Sequence, residues 1–215
     1  SHNGITFAGG DYYLIYRRRG VLYVWQAAGP LVRGWIMSIE GGGAPVSLVA
    51  PWTIVNGSNP TAISDGRGNA LVIYNDTAVP SQVRVRKISG AGQNVWTVPA
   101  NPEIDTQAAA AETIIKVMSD NAGGLVVLYR VGATAMYVQR IDLSGTRLWG
   151  ANGRAIGNPA AASQPDIVYD GGNDVIVAVN DSGNIWIRRV GTTSWAGYYL
   201  SNPAGTQQNP KVFLN

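Results

Sequence analysis

Two stretches of the sequence repeat the same pattern of a polar turn followed by an apolar run. Residues 64–74 read SDGRGNALVIY, and residues 119–129 read SDNAGGLVVLY. In both stretches an Asp and a Gly-containing turn precede at least four consecutive apolar positions. A continuous apolar run of this length, bounded by turn residues, is typical of a strand that is buried on both faces. The pattern therefore predicts a strand–turn–strand unit that occurs more than once.

The same unit recurs along the rest of the chain. Its second strand is apolar (ALVIY, LVVLY, DVIVAV), and its third mixes large and charged residues (VRVRKI, MYVQRI, IWIRRV). A segment around Trp96, Trp149 or Trp195 closes each copy, and the N-terminal part fits the same frame with Tyr16 in place of the turn Asp. The alignment predicts repeat units over residues 11–59, 60–114, 115–164 and 165–209, with terminal strands at 4–9 and 209–215.

The size of the unit predicts the fold. Unit starts at positions 11, 60, 115, 165 and 210 are spaced by 49, 55, 50 and 45 residues. Four-stranded units of this length, with a doubly buried inner strand, are typical of β-propeller blades. We therefore predict one all-β domain over residues 1–215, a β-propeller of four to five four-stranded blades. A β-solenoid is the main alternative, although its rungs are shorter. The terminal strands leave open a four-bladed ring, a five-bladed ring or an open array.

One repeat resembles a known family. SDNAGGLVVLY and VQRIDLSGTRLWGANG (residues 138–153) are similar to the tandem propeller repeats SDGxGGxxVxW…QRIDxSGxxLWGxNG of extracellular bacterial proteins. The resemblance covers most of the chain and is strongest in residues 115–164. It implies a secreted or surface-displayed propeller, generally without catalytic activity, and it does not supply a ligand.

Composition and charge narrow the function classes. Hydrophobic residues make up 46% and charged residues 13% of the 215 positions, which excludes a disordered chain. The net charge of +3 is too weak and too dispersed for a nucleic-acid binder, which usually has a clustered basic face. No apolar run reaches the 18 residues typical of a membrane span. The start SHNGITF is interpreted as that of a processed or tagged chain. One basic run, interpreted as a turn or as a patch for phosphate, sulfate or acidic glycan, comprises Arg17, Arg18 and Arg19.

Candidate catalytic groups are few. The chain has no Cys, and its one histidine is His2, so thiol chemistry, zinc sites and His-based nucleophilic catalysis are excluded. Asp65, Asp120 and Asp170 occupy equivalent turn positions, whereas an active site needs unlike residues in unlike roles. We predict that each Asp caps its turn through the local backbone; a ring of calcium ligands is the functional alternative. No enzyme activity and no cofactor are expected.

Two positions of the third strand recur across the repeat units, and one of them holds candidate binding residues. One equivalent position of the third strand, a candidate for inter-blade packing or for stacking on sugars, holds Trp35, Arg84, Tyr137 and Trp186. A second equivalent position holds Lys87, Arg140 and Arg189. Three sequons, whose glycosylation the sequence leaves open, begin at Asn56, Asn75 and Asn180.

The terminal strands suggest how the protein works. Unpaired strand edges template pairing with other chains. The candidate assembly residues in these strands are Ile5, Phe7, Val212, Phe213 and Leu214. We expect an extracellular or cell-surface, structural or adhesive building block that binds copies of itself or another surface protein. The alternatives are a lectin with repeated inter-blade sites and, less favoured, a propeller glycosidase, which would need convergent carboxylates.

Overall fold

The structure is a computed structural model. It describes residues 12–17, 20–38, 46–97, 102–107, 110–133, 135–157, 165–172, 174–181, 184–191, 197–199 and 209–213. Within these residues the chain forms four antiparallel sheets of three or four strands and contains no helix, so the predicted all-β class is confirmed. The predicted strand at 4–9 lies outside the described residues. His2, Trp195 and the side chain of Arg17 also lie outside them. The same holds for five candidate residues: Ile5, Phe7, Arg18, Arg19 and Leu214.

The first two sheets are antiparallel meanders in which consecutive strands pair. The first sheet contains β1 (Tyr12–Arg17), β2 (Gly20–Ala27), β3 (Leu31–Ser38) and β4 (Val46–Asn56). The second sheet contains β5 (Ser58–Ser64), β6 (Ala70–Asn75) and β7 (Val83–Ile88). An antiparallel bridge between Arg84 and Glu103 extends the open edge of β7.

The last two sheets repeat this arrangement. The third sheet contains β8 (Glu112–Ser119), β9 (Leu125–Val131), β10 (Ala135–Ile141) and β11 (Arg154–Gly157). The fourth sheet contains β12 (Asp166–Tyr169), β13 (Val175–Asp181), β14 (Asn184–Val190) and β15 (Tyr198–Tyr199). The local composition of residues 106–117 favours a helical turn or a loop, but pairing with β9 makes residues 112–117 part of β8 instead.

The second strand of each unit is buried on both faces, as its apolar run predicts. In β6, Leu71, Val72 and Ile73 are each 0% exposed. Successive side chains of a strand point to opposite faces. Leu71 and Ile73 therefore join a core shared with the third sheet, whereas Val72 joins a core shared with the first sheet.

The sheets follow one another in space in chain order. Separate apolar cores lie between the first and second, the second and third, and the third and fourth sheets. The first strands also touch in order, β1 against β5, β5 against β8, and β8 against β12. The functional groups described below therefore lie on sheet edges or between neighbouring sheets. No helix among the described residues is long and apolar enough to span a membrane.

Candidate functional site

The equivalent turn aspartates bind their own turns, as predicted. One carboxylate oxygen of Asp120 accepts the N–H groups of Ala122 and Gly124, each at 2.8 Å. Asp65 and Asp170 accept the corresponding N–H groups two and four residues on. Burial raises the pKa of Asp65, but hydrogen bonds from Asn69 and the turn backbone outweigh it and hold this pKa below its usual value.

Each turn aspartate also binds the cation at the second repeated position of the third strand. Lys87 lies 3.0 Å from Asp65, and both side chains are almost completely buried. Arg140 lies 2.9 Å from Asp120, with side-chain exposures of 9% and 1%. Arg189 makes the third pair with Asp170, at 2.5 Å. The repeated carboxylates are thus neutralised within their own sheets.

Two of these cations contact the following sheet. Lys87 donates from Nζ to the backbone oxygen of Gly123, 2.7 Å away in the turn between β8 and β9. The Arg140 guanidinium lies 5.2 Å from the ring centroid of Tyr169 on β12. Trp96 donates from Nε1 to the backbone oxygen of Leu143, which follows β10, at 2.8 Å. Asp65 and Asp120 therefore each hold a cation that links its sheet to the next.

In two of the three units the residue before the cation reaches in the opposite direction, to the preceding sheet. Arg86 donates from Nη1 to the backbone oxygen of Ile54 on β4 of the first sheet. Arg188, at the equivalent position, donates to the backbone oxygen of Ala155 on β11, 3.0 Å away. Because adjacent side chains of a strand point to opposite faces, two neighbouring residues bind the two neighbouring sheets.

The four candidate stacking residues have different environments. Trp35 donates from Nε1 to the Ser47 hydroxyl at 2.9 Å and packs against the apolar residues of its own sheet. Tyr137 stacks on Tyr129, with ring centroids 5.8 Å apart. Trp186 packs against the core between the third and fourth sheets. Three of the four thus make packing contacts, and the fourth is Arg84.

Arg84 lines a pocket between the second and third sheets. The pocket has a volume of about 740 Å³. Its other lining residues come from the segment that bridges β7 and from the loop after β10: Pro102, Glu103, Gly145, Thr146, Arg147, Gly150 and Ala151. Two guanidinium groups, a carboxylate and a hydroxyl thus line one open cavity.

The charges of the pocket are unevenly compensated. Arg84 donates to Asp76 at 2.7 Å and to Glu103 at 2.5 Å, so two carboxylates balance it. Burial lowers the pKa of Arg84, but these carboxylates outweigh the burial and raise the pKa above its ordinary value. Arg147 donates from Nη1 to the backbone oxygen of Asp105 at 2.9 Å. Among the described residues no carboxylate lies within ion-pair distance of Arg147.

Sequence reasoning did not find Glu103 or Arg147. Neither residue is part of the repeated pattern, so the repeat alignment does not single them out. Glu103 could have been found from its place in the same predicted four-stranded unit as Arg84. The proximity of Arg147 to Arg84 and Glu103 depends on how neighbouring sheets pack.

A buried acid cluster lies between the same two sheets. Asp105 and Glu112 are 1% and 3% exposed, and their carboxyl groups are neighbours. Glu112 also accepts the Val83 N–H through Oε2 at 2.5 Å. Burial and the neighbouring Asp105 raise the pKa of Glu112 to about 9. Oε1 of Glu112 is buried without a hydrogen-bond partner. If this oxygen carries the proton, it can donate a hydrogen bond to Asp105.

The last described residues lie against the fourth sheet. Val212 donates its backbone N–H to Asp166 Oδ2 at 3.1 Å. Asp166, at the start of β12, also pairs with Lys116 of β8. Phe213 is 81% exposed. Residues 209–213, assigned to a strand by the repeat alignment, belong to none of the strands in the described sheets.

The geometry bears on the metal-site and glycosylation hypotheses in different ways. Within the described ranges, no group of three or more His, Asp or Glu side chains could hold a metal ion. Asn75 is 2% exposed and donates to the Glu112 backbone oxygen at 2.8 Å, so its sequon is inaccessible in the folded chain. Asn56 is exposed at the end of β4.

Comparisons with known proteins give structural similarity only. No family model matches the sequence, and no curated protein matches it. The chain is similar to a protein of unknown function from Bacteroides caccae, with 17% identity and a TM-score of 0.44, over 83% of this chain and 60% of the other. It is also similar to a mutant of puromycin hydrolase complexed with PGG, with 12% identity and a TM-score of 0.49, over 89% of this chain and 32% of the other. The chain thus spans less than two thirds of the length of either structure.

Proposed function

We propose that the protein is a β-propeller that acts outside the cell, or at its surface, as a non-catalytic structural or adhesive building block. The stacking of sheets in chain order, with the first strands side by side, supports the propeller, because the innermost strands of propeller blades surround a common axis. The acidic pair of Asp105 and Glu112 is buried away from solvent, which suits a structural role better than attack on a substrate.

Self-association is the proposed means of action. The observation that carries it is the C-terminal segment beside β12, at the end of the row of first strands. The segment is held by the Val212–Asp166 hydrogen bond and presents the exposed ring of Phe213. An exposed apolar side chain beside these strands offers a surface for another copy of the chain or another surface protein.

Replacing Phe213 with Asp is expected to convert oligomers into monomers, because it places a charge in the apolar contact. The measurement is the mass in solution by sedimentation velocity, with negative-stain images of the same samples. Deletion of residues 209–215 is expected to give the same result. Val79→Asp is the matched control, since Val79 is 98% exposed and lies far along the chain in another loop. A wild-type protein that is monomeric at every concentration would contradict self-association.

A second candidate function is carbohydrate binding. The pocket at Arg84 supports it, because it lies between two sheets at one of the four repeated positions. The other three positions make packing contacts, so Arg84 is the position at which carbohydrate binding is proposed first.

A further inference from the structure

The geometry points to an acidic saccharide, a sugar chain that carries uronate carboxylates, as the ligand of the pocket between the second and third sheets. This inference rests on the second candidate function and adds the chemical class of the ligand. It names Arg147 as the group that binds the carboxylate.

The charge balance of the pocket selects an anion at Arg147. Asp76 and Glu103 compensate Arg84, whereas the described contact of Arg147 is with a neutral backbone oxygen. A guanidinium presents several N–H donors in a planar fork, and one of them is used here. A carboxylate is a planar partner for the remaining donors, and charge-assisted bonds of this kind are stronger than neutral ones.

The rest of the lining suits hydroxyl groups. Glu103 holds Arg84 through Oε1, and its side chain is 39% exposed, so it can accept hydrogen bonds from sugar hydroxyls. Thr146 is exposed and has a hydroxyl that can donate or accept. Pro102, Gly145 and Ala151 add small apolar surfaces against which the C–H face of a sugar ring can lie. The volume of about 740 Å³ is within the range of small-molecule sites.

The test is isothermal titration with a galacturonic acid trisaccharide and with its fully methyl-esterified form. The ester has the same hydroxyl groups and no charge, so it isolates the contribution of the carboxylates. We expect the acid to bind at least about tenfold more tightly than the ester, as one hydrogen-bonded charge pair predicts. We also expect added salt to weaken the binding of the acid alone, because salt screens charges.

Two pocket variants and one control complete the experiment. Arg147→Gln is expected to abolish the preference for the acid, and Ala151→Phe is expected to abolish binding of both ligands by filling the pocket. Arg154→Gln is the matched control, because Arg154 is an exposed arginine of the same sheet outside the pocket. Thermal unfolding of each variant checks that the fold is retained, so lost binding cannot be confused with lost structure.

The outcomes separate the two proposals. Equal binding of acid and ester, unchanged in Arg147→Gln, would overturn the acidic ligand and leave carbohydrate binding in place. Absence of binding by either saccharide would overturn both. Binding of a short peptide through its terminal carboxylate, at the same Arg147 and without saccharide binding, would likewise overturn the saccharide.

Discussion

Replacing Asp120 with Ala is expected to lower the free energy of unfolding by about 3–5 kcal/mol, the range for breaking one partner of a buried ion pair. The change leaves the Arg140 guanidinium buried without its carboxylate, which lies 2.9 Å away in the wild type. It also removes the acceptor of the Ala122 and Gly124 N–H groups. Urea unfolding followed by Trp fluorescence gives the free energy of unfolding.

Asp142→Ala is the matched control for this prediction. Asp142 accepts the N–H groups of Ser144 and Thr146, two and four residues on, at 2.8 and 2.9 Å. Its contacts within the described part of the chain include no cation. Loss of the turn bonds alone is expected to cost about 1 kcal/mol. Asp120→Asn keeps the turn acceptor, removes the charge and should fall between the two. Equal losses in Asp120→Ala and Asp142→Ala would show that the ion pair adds nothing to the turn.

Replacing Glu112 with Gln is expected to remove most of a fall in stability with rising pH. The pKa of Glu112 is raised from 4.5 to about 9 in the folded chain. Below 4.5 the folded and unfolded chains are both protonated at this residue. Between 4.5 and 9 the folded chain keeps a proton that the unfolded chain has lost. Stability therefore falls across this window, by at most about 1.4 kcal/mol per pH unit.

The Gln side chain reproduces the protonated state of Glu112. Its oxygen can accept the Val83 N–H, and its amide can donate to Asp105 at any pH. Urea unfolding at several pH values between 5 and 9 should show a flatter profile than the wild type, with a difference that grows toward the alkaline end by up to about 1.4 kcal/mol per pH unit. Glu103→Gln is the control, since Glu103 is partly exposed and paired with Arg84. An unchanged slope in Glu112→Gln would mean that Glu112 is ionised in the folded chain.

Three other carboxyl groups make stability depend on pH in the opposite direction, because their pKa values are lowered in the folded chain. Burial raises the pKa values of Asp65, Asp76 and Asp142, but hydrogen bonds to each carboxylate outweigh burial and lower them. The stability that these groups contribute is present above their ordinary pKa and is lost as pH falls through the lowered values. With Glu112 acting in the other direction, the wild-type protein should be most stable in mildly acidic solution.

The features that could be predicted from the sequence, the capped turns and the buried second strands, depend on contacts between residues close in the chain. The bonds of Asp65, Asp120 and Asp170 reach donors two and four residues away, and turn chemistry of that range can be recognised in a single sequence. The doubly buried second strands were recognised from apolar runs for the same reason. The repeat starts the strand of this unit at residue 115, and its extension back to Glu112 was not predicted because pairing with β9, and not the Ala-rich composition, determines the conformation there.

The pocket and the acid cluster could not be predicted because they combine residues of different units. Arg84 and Arg147 are brought together by the packing of the second sheet against the third, which the order of residues does not specify. Glu112 and Asp105 lie in a segment where no repeat pattern assigns a partner. The raised pKa of Glu112 and the compensated charge of Arg84 both depend on contacts that form only when the sheets are in place.

Many of the bonds between sheets have a backbone oxygen as their acceptor. Lys87, Trp96 and Arg86 donate to the backbone oxygens of Gly123, Leu143 and Ile54. A backbone oxygen is present whatever side chain the residue carries. Mutations in one copy of the repeat therefore leave the bond from its neighbour intact, provided that the strand keeps its path. A duplicated unit of this kind can diverge in sequence, and can be joined to units it did not arise beside, without first evolving a matching surface.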